Sequence, residues 1–229
     1  MTDLSTPERA TTAHLGPAHR IGGFAGIAFV VVVIAQNLVR GATFPANDAP
    51  TADIIDFYRS HRGIDGLLAI LFVVSAIALA LYGGALTARL RGAETDAPRL
   101  AGLIGVIGIF ALFSMVEASD LALSSYVHRG APAPSSVALL WTLHNAIFAV
   151  LLVAIAVALA GLTAASAAAG LIGSRWKEVG AIAAGALAIT AAAASSVIDG
   201  GPIMALGLLG FLAWLAFVAV SSAAMLRNA

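Results

Sequence analysis

Six long apolar runs dominate this chain of 229 residues and constrain its fold more than any other feature. A helix needs roughly 20 mostly apolar residues to cross the hydrocarbon core of a bilayer, and every run is close to or above that length. Helices are favoured because they satisfy their own backbone polar groups in lipid. The sequence therefore predicts an all-α, polytopic membrane protein with a bundle of six transmembrane helices. The predicted spans cover about residues 21–39, 66–88, 100–123, 137–162, 179–198 and 203–226.

The composition agrees with a chain that lies mostly in lipid. It is 60% hydrophobic and only 10% charged, with a mean hydropathy of +0.97, whereas a soluble domain has roughly 25% charged residues. The formal net charge is zero, so we predict no nucleic-acid partner. The absence of cysteine excludes disulfides and thiolate metal sites. We expect the lipid bilayer as the main partner. A second copy of this chain, in a homo-oligomer, or a partner membrane subunit is a further expected partner.

The distribution of cations predicts the orientation. With six spans both termini lie on one side, and that side holds eight of the twelve Lys and Arg residues. The positive-inside rule then places both termini in the cytoplasm. Residues 1–20 are polar and lack the features of a signal peptide, so they are predicted to be a cytoplasmic tail before a membrane domain at 21–227. The predicted location is the inner (cytoplasmic) membrane.

The connection after the first span contains a predicted short helix, TADIIDFYRSHR, at residues 51–62. Its apolar residues recur at nearly helical spacing, and Thr51 is the expected N-cap. We expect a solvated helix at the membrane interface, with an ordered loop as one alternative. A second alternative is a lid or anionic-ligand site that uses Tyr58, Arg59, His61 and Arg62.

Small residues predict where helices pack closely. Gly102, Gly105 and Gly108 recur every three residues in the third span, and such a face allows another helix backbone to approach. The fifth span consists almost entirely of Ala, Gly and Ile. It is therefore predicted to lie inside the bundle and not to face lipid.

Ionisable residues in the third and fourth spans form the candidate site. Glu117 and Asp120 lie three residues apart, and His144 and Asn145 lie in the next span. At 1.5 Å per residue, Glu117 and His144 are both about 10 Å from the outer boundary. Sequential helices with a short connection usually pack together. We therefore expect a Glu117–His144 pair in a polar cluster that faces the outer leaflet.

Charged groups at this depth are costly unless they are paired, and they are often functional. The cluster could bind a ligand or a proton, act as a general acid–base pair, or form a structural contact between helices. If a metal ion binds, its ligands are Glu117, Asp120 and His144. Three residues from the outer side are further contributors: Asn37, His128 and Asp199.

No motif in the sequence assigns a reaction or a cofactor. The chain lacks P-loop, GxSxG, GxGxxG and HExxH patterns. His144 is the only histidine inside a predicted span, which leaves a haem without a second ligand. We expect no cofactor and favour a small-solute or proton-coupled transport protein, or an accessory protein. The alternatives are a scaffold or assembly subunit of a membrane complex and an outward-facing metal- or cofactor-dependent enzyme.

Two short segments of this chain resemble segments of other membrane proteins. The segments are FYRSHRG (Phe57–Gly63) and TARLRG (Thr87–Gly92). Together with six spans in 229 residues, they resemble a group of small bacterial integral membrane proteins of the domain-of-unknown-function type. The resemblance implies a six-helix bundle, and it implies neither an activity nor any functional residue.

Overall fold

The computed structural model describes residues 17–92 and 95–227, and within them the chain forms eight α-helices and no strand. Five of the helices, α1, α3, α4, α5 and α8, are long and apolar enough to cross a membrane. The chain is therefore a multi-span, all-α integral membrane protein, as the apolar runs predict. The helices are α1 (Pro17–Thr43), α2 (Thr51–Ser60), α3 (Arg62–Arg89), α4 (Asp96–His128), α5 (Pro134–Ala168), α6 (Arg175–Ala192), α7 (Ala194–Ile198) and α8 (Met204–Arg227).

Most helices continue past the apolar runs from which they were predicted. Helix α4 ends at His128 and α5 begins at Pro134. Proline is tolerated at the start of a helix because an N–H there would have no partner within the helix. Helix α1 already includes residues 17–20, which were predicted to belong to the N-terminal tail. Residues 1–16 of that tail lie outside the described residues. Hydropathy marks the apolar part of each helix, whereas helical hydrogen bonding continues into the polar flanks.

The fifth apolar run forms two helices. Helix α6 stops before Ala193, and the five-residue α7 follows it. Helix α6 begins with Arg175, Lys177 and Glu178, and it is not among the five helices that are apolar and long enough to span. Among the described residues, helix length and composition therefore identify five candidate spans, one fewer than the six predicted.

The central helix of the bundle is α5, which packs against α4, α6, α7 and α8. By contrast, Ile182 and Ile189 of α6 are 75% and 58% exposed. The prediction that the fifth apolar run lies inside the bundle is therefore wrong. Its small residues, such as Gly180, form only the inner face, and its larger apolar residues point outward.

The glycine face of α4 packs against α5, which confirms the prediction of close helix packing. A Cβ atom added to Gly105 would lie 2.6 Å from the Cα atom of Ala158, and one added to Gly108 would lie 3.0 Å from the Cβ atom of Ala154. Side chains at these positions would separate the two backbones. The contact holds α4 and α5 in the register that brings their polar residues together.

Helix α2 packs onto the ends of α4 and α5. Ile54, Phe57 and Tyr58 are buried there. The residue at the N-cap position is Pro50, without a side-chain cap, so the prediction that Thr51 caps this helix is wrong. One face of α2 is therefore part of the core. Since Tyr58 on this face contacts Asp120, the helix covers the end of the bundle that contains the candidate site.

Candidate functional site

An arginine from α1 lies between the two carboxylates of α4. Nη2 of Arg40 is 3.3 Å from Oε2 of Glu117, and it also contacts Oδ2 of Asp120. Glu117 and Asp120 are only 4% and 6% exposed. Their spacing of three residues places both on one face of the helix. A single guanidinium thus compensates negative charge on both buried carboxylates.

His144 of α5 contacts the other oxygen of Asp120. Its Nδ1 atom is 3.1 Å from Oδ1 of Asp120 and 3.0 Å from Oγ of Ser119. Trp141 stacks on the imidazole, with ring centroids 5.3 Å apart and planes 4° apart. The structure therefore brings α4 and α5 together at this level, and the carboxylate that meets His144 is Asp120, not Glu117.

Tyr58 adds a donor from α2. Its hydroxyl donates a hydrogen bond of 2.9 Å to Oδ1 of Asp120, and its side chain is fully buried. Burial raises the pKa of Tyr58 well above its ordinary range, and the negative charge of Asp120 raises it further. The phenol therefore stays protonated and remains a donor. We refer to Arg40, Tyr58, Glu117, Asp120 and His144 as the ionic cluster.

A third carboxylate lies next to the ionic cluster. Asp65, in the first turn of α3, accepts a hydrogen bond of 2.6 Å from Oγ of Ser124 through Oδ2. Its Oδ1 atom is buried and has no partner among the described residues. His128 is nearby but exposed, and its Nδ1 atom donates to the carbonyl of Ser124 over 2.7 Å. Negative charge therefore exceeds the charge of Arg40 at this end of the bundle.

The loop between α1 and α2 is fastened to α5 and α7 through Asn47. The backbone carbonyl of Asn47 accepts hydrogen bonds from Nε1 of Trp141 at 2.9 Å and from Nδ2 of Asn145 at 3.4 Å. The side-chain amide of Asn47 donates to the backbone carbonyl of Val197 at 2.8 Å. Asn145, a predicted member of the polar cluster, therefore holds this loop, whereas His144 meets the carboxylate.

A cavity of about 640 Å³ lies beside the ionic cluster. Its volume is within the range of roughly 300–1,000 Å³ that is typical of small-molecule sites. Most of the lining residues are apolar side chains of α1, α4, α5 and α8. The polar lining residues near the ionic cluster are Gln36, Asn37, Arg40, Asn47, His144 and Asn145, and Thr190 of α6 also lines the cavity.

The three further contributors from the outer side have different positions. Asn37 lines the cavity, and its amide donates to the carbonyl of Val33 on the same helix. His128 is exposed at the end of α4, and Asp199 is exposed in the turn after α7. Within residues 17–92 and 95–227, neither of these two side chains forms a hydrogen bond or ion pair with the ionic cluster.

The arrangement differs from a catalytic triad and from a metal site. Ser119 and Asp120 meet the same ring nitrogen of His144, whereas a triad uses opposite ring nitrogens. The hydroxyl of Ser119 donates to the carbonyl of Val116 over 2.6 Å, so His144 does not activate it. The guanidinium of Arg40 fills the space between the carboxylates. No group of three His, Asp or Glu side chains in the described part of the chain could hold a metal ion.

Sequence reasoning missed several residues of this site, among them Arg40 and Asn47. Arg40 was counted only as a cation at the outer end of the first span, and Asn47 was not considered. Charge balance could have identified Arg40, because two buried carboxylates need a nearby cation and Arg40 is on the predicted side. Asn47 has no such signal, since its role depends on the path of the loop.

The fold and the site together define an all-α, multi-span integral membrane protein with a buried ionic cluster beside an apolar cavity. No protein-family model matches this chain, and no curated protein or solved structure matches it either.

Proposed function

We propose that this chain is a six-span transport protein that binds a small solute in the cavity and couples its movement to a proton held by the ionic cluster. One observation carries the proposal: Arg40 binds both Glu117 and Asp120 and also lines the cavity. The same side chain therefore meets the solute and compensates the buried carboxylates.

The charge of the ionic cluster supports a bound proton. Counted with an uncharged imidazole at His144, the ionic cluster has one positive charge, on Arg40, against the carboxylates of Glu117 and Asp120, and Asp65 lies close by. An uncompensated charge in this setting costs several kcal/mol, of the order of 3. One additional proton makes the ionic cluster neutral, so we expect the cluster to hold that proton in the membrane.

The contacts favour Glu117 as the residue that holds this proton. Asp120 accepts from Arg40 and Tyr58 and also meets His144. Among the described residues, Glu117 has a hydrogen bond only with Arg40, at 3.3 Å. The carboxylate with fewer donors gains less from being ionised, so we assign the proton to Glu117.

Solute binding and protonation are linked through Arg40 and His144. Both line the cavity and both contact a carboxylate. A solute that forms hydrogen bonds with either one competes with the carboxylates for donors and makes proton binding more favourable. By linkage, a proton then strengthens solute binding by the same factor, which is what coupled transport requires.

The six-span topology needs α6 and α7 to form the fifth crossing together. Residues 175–198 extend roughly 36 Å at 1.5 Å per residue, against a hydrocarbon core of about 30 Å. The charged residues at the start of α6 would then lie at the cytoplasmic interface. The positive-inside rule supports cytoplasmic termini and an outward-facing ionic cluster. The resemblance to small bacterial membrane proteins supports an inner membrane.

The two alternatives have less support. A scaffold would use its glycine and alanine faces to pack against another chain, but Gly102, Gly105 and Gly108 pack against α5 of the same chain. A metal-dependent enzyme would use Glu117, Asp120 and His144 as ligands, but no group of three His, Asp or Glu side chains among the described residues could hold a metal ion. Transport makes use of both the cavity and the ionic cluster.

Currents from reconstituted protein on a solid-supported membrane test the proposal. Neutral, anionic and cationic solutes are offered in turn under a pH gradient. Wild type should give a pH-dependent current with at least one class, and Glu117→Gln should lower it roughly tenfold or more, or about 1.4 kcal/mol. Asp96→Asn, the same type of change at the exposed start of α4, should retain it. Currents that survive in Glu117→Gln, or that no class elicits in wild type, would overturn the proposal.

A further inference from the structure

We infer that the cavity takes a neutral amphipathic molecule whose polar head both donates and accepts hydrogen bonds, such as a monoacylglycerol or a long-chain alcohol or amide. The inference rests on the proposed solute cavity and names the class of its ligand. It follows from a buried glutamine without a hydrogen-bond partner among the described residues, from the charge at the polar end and from the apolar walls.

Gln36 indicates what the head must provide. Its side chain is 2% exposed and lines the cavity. Neither Nε2 nor Oε1 has a hydrogen-bond partner among the described residues. A buried amide without partners is costly, and buried polar groups are nearly always paired. A ligand head that both accepts and donates satisfies both atoms of the amide.

The charge at the polar end favours a neutral head. Arg40 is the one formally charged side chain among the described lining residues, and Glu117 and Asp120 already bind it. An anionic head would face the negative charge of Asp120, and a cationic head would meet the guanidinium. Because these interactions are strong in a low-dielectric site, a neutral head avoids both penalties.

The walls indicate the body of the ligand. Beyond the polar end, most of the lining is aliphatic and aromatic, and Thr190 is the polar side chain from α6. These surfaces are available to an apolar chain, whereas water gains few hydrogen bonds there. Apolar walls with a few polar groups at one end are typical of sites for amphipathic small molecules. The main apolar lining residues are Phe29, Val33, Ile109, Leu152, Ile155 and Trp214.

Two tryptophans report directly on the cavity. Trp141 and Trp214 line it, whereas the third tryptophan, Trp176, does not. A Trp176→Phe background therefore leaves two reporters, and a ligand with a brominated tail quenches them on contact. If Trp176→Phe lowers the unfolding temperature, the titration is performed on wild type, where Trp176 adds a constant background.

The experiment titrates the full chain in detergent with a monoacylglycerol that carries a brominated tail. We expect saturable quenching that unbrominated monoacylglycerol reverses. Gln36→Leu removes both polar atoms at nearly constant size and should weaken binding roughly tenfold, or about 1.4 kcal/mol. Thr142→Val is the matched control, because Thr142 is exposed on α5 and bonds only to its own helix. It should leave the affinity unchanged.

Probes with the same tail and a different head test the ligand class. The matched set is a brominated fatty-acid anion, a brominated alkylamine and a brominated alkane without a head. The neutral head should bind roughly tenfold or more tightly than each. Equal binding of the alkane, tighter binding of a charged head, unsaturable quenching or an unaffected Gln36→Leu variant would overturn the inference.

The outcome is separable from that of the proposed function. The titration is an equilibrium measurement in detergent and requires neither transport nor a pH gradient. If monoacylglycerol binds but wild type gives no coupled current, transport fails and the ligand class stands. If coupled currents appear with charged solutes while monoacylglycerol does not bind, the ligand class fails and transport stands.

Discussion

Arg40 contacts Asp120, a residue 80 positions later in the chain, and so fastens the end of α1 to the buried face of α4. The same guanidinium reaches Glu117, while α2 and α5 bind Asp120 through Tyr58 and His144. Four helices thus meet at one carboxylate. The predictions below separate the contribution of this contact to stability from its role in the proposed function.

Replacing Arg40 should destabilise the protein strongly. Arg40→Gln leaves the buried carboxylate of Asp120 without its cation, which typically costs about 3–5 kcal/mol. Thermal unfolding in detergent measures the change, and adding Asp120→Asn should recover part of it. Arg59→Gln is the control, since Arg59 is 52% exposed and 4.0 Å from Asp56, and an exposed pair contributes at most about 1 kcal/mol. Equal effects of the two arginine variants would show that the ionic cluster is not a stabilising contact.

Replacing Tyr58 should loosen α2. Tyr58→Phe removes a hydrogen bond to a charged group, which contributes about 1.5–3 kcal/mol. Hydrogen exchange of the α2 amides should increase, with Ser60→Ala, an exposed hydroxyl bonded within α2, as the control. Unchanged exchange in Tyr58→Phe would mean that apolar packing alone holds α2 in place.

The same variant gives a prediction about alkaline pH. In the unfolded chain the tyrosine pKa is about 10, whereas in the folded protein burial raises the pKa of Tyr58 well above it. Above pH 10 the unfolded state therefore binds fewer protons than the folded state, and the free energy of unfolding falls as pH rises. Between about pH 9.5 and 11, the unfolding temperature should fall less steeply in Tyr58→Phe than in wild type. If the unfolding temperature fell equally steeply with pH in Tyr58→Phe and in wild type, the raised pKa of Tyr58 would be contradicted.

Close packing of α4 on α5 should be sensitive to one methyl group. A Cβ atom at Gly105 would overlap the backbone of Ala158, whereas one at Gly84 would meet nothing within 4 Å. Gly105→Ala should lower the free energy of unfolding by about 1–3 kcal/mol. Gly84→Ala should be neutral, or stabilising by up to about 1 kcal/mol, because alanine favours helix. A similar response of both variants would contradict the packing.

The absence of native cysteine permits a direct test of topology. Gly173→Cys lies before α6 and Asp199→Cys lies after α7. If α6 and α7 cross the membrane together, an impermeant maleimide added outside the cell should label only Asp199→Cys, and Gly173→Cys only after permeabilisation. Labelling of the two variants on the same side of the membrane, whether both or neither react from outside, would leave five spans.

The sequence was informative where a pattern lies within one helix or between adjacent helices. The long apolar runs predicted the membrane helices, and the glycines at 102, 105 and 108 predicted close packing. Matched depth brought α4 and α5 together at His144. These features depend on periodicity and rise per residue, both of which can be counted along the chain.

Contacts between distant segments were not predictable in this way. Arg40 meets Asp120 only because the fold brings the end of α1 within side-chain reach of α4, and hydropathy carries no information about that neighbour. The break at Ala193 lies in the segment ITAAAASSVI, which contains neither glycine nor proline. Tertiary packing therefore determines where α6 ends, because the local sequence contains no helix-breaking residue.

Infrared difference spectroscopy of reconstituted protein tests most directly whether the ionic cluster holds a proton. At neutral pH, wild type should show the carbonyl band of a buried carboxylic acid that shifts in D₂O. The band should be absent from Glu117→Gln and unchanged in Asp96→Asn. A wild type without this band, or a band that persists in Glu117→Gln, would contradict the assignment of the proton to Glu117.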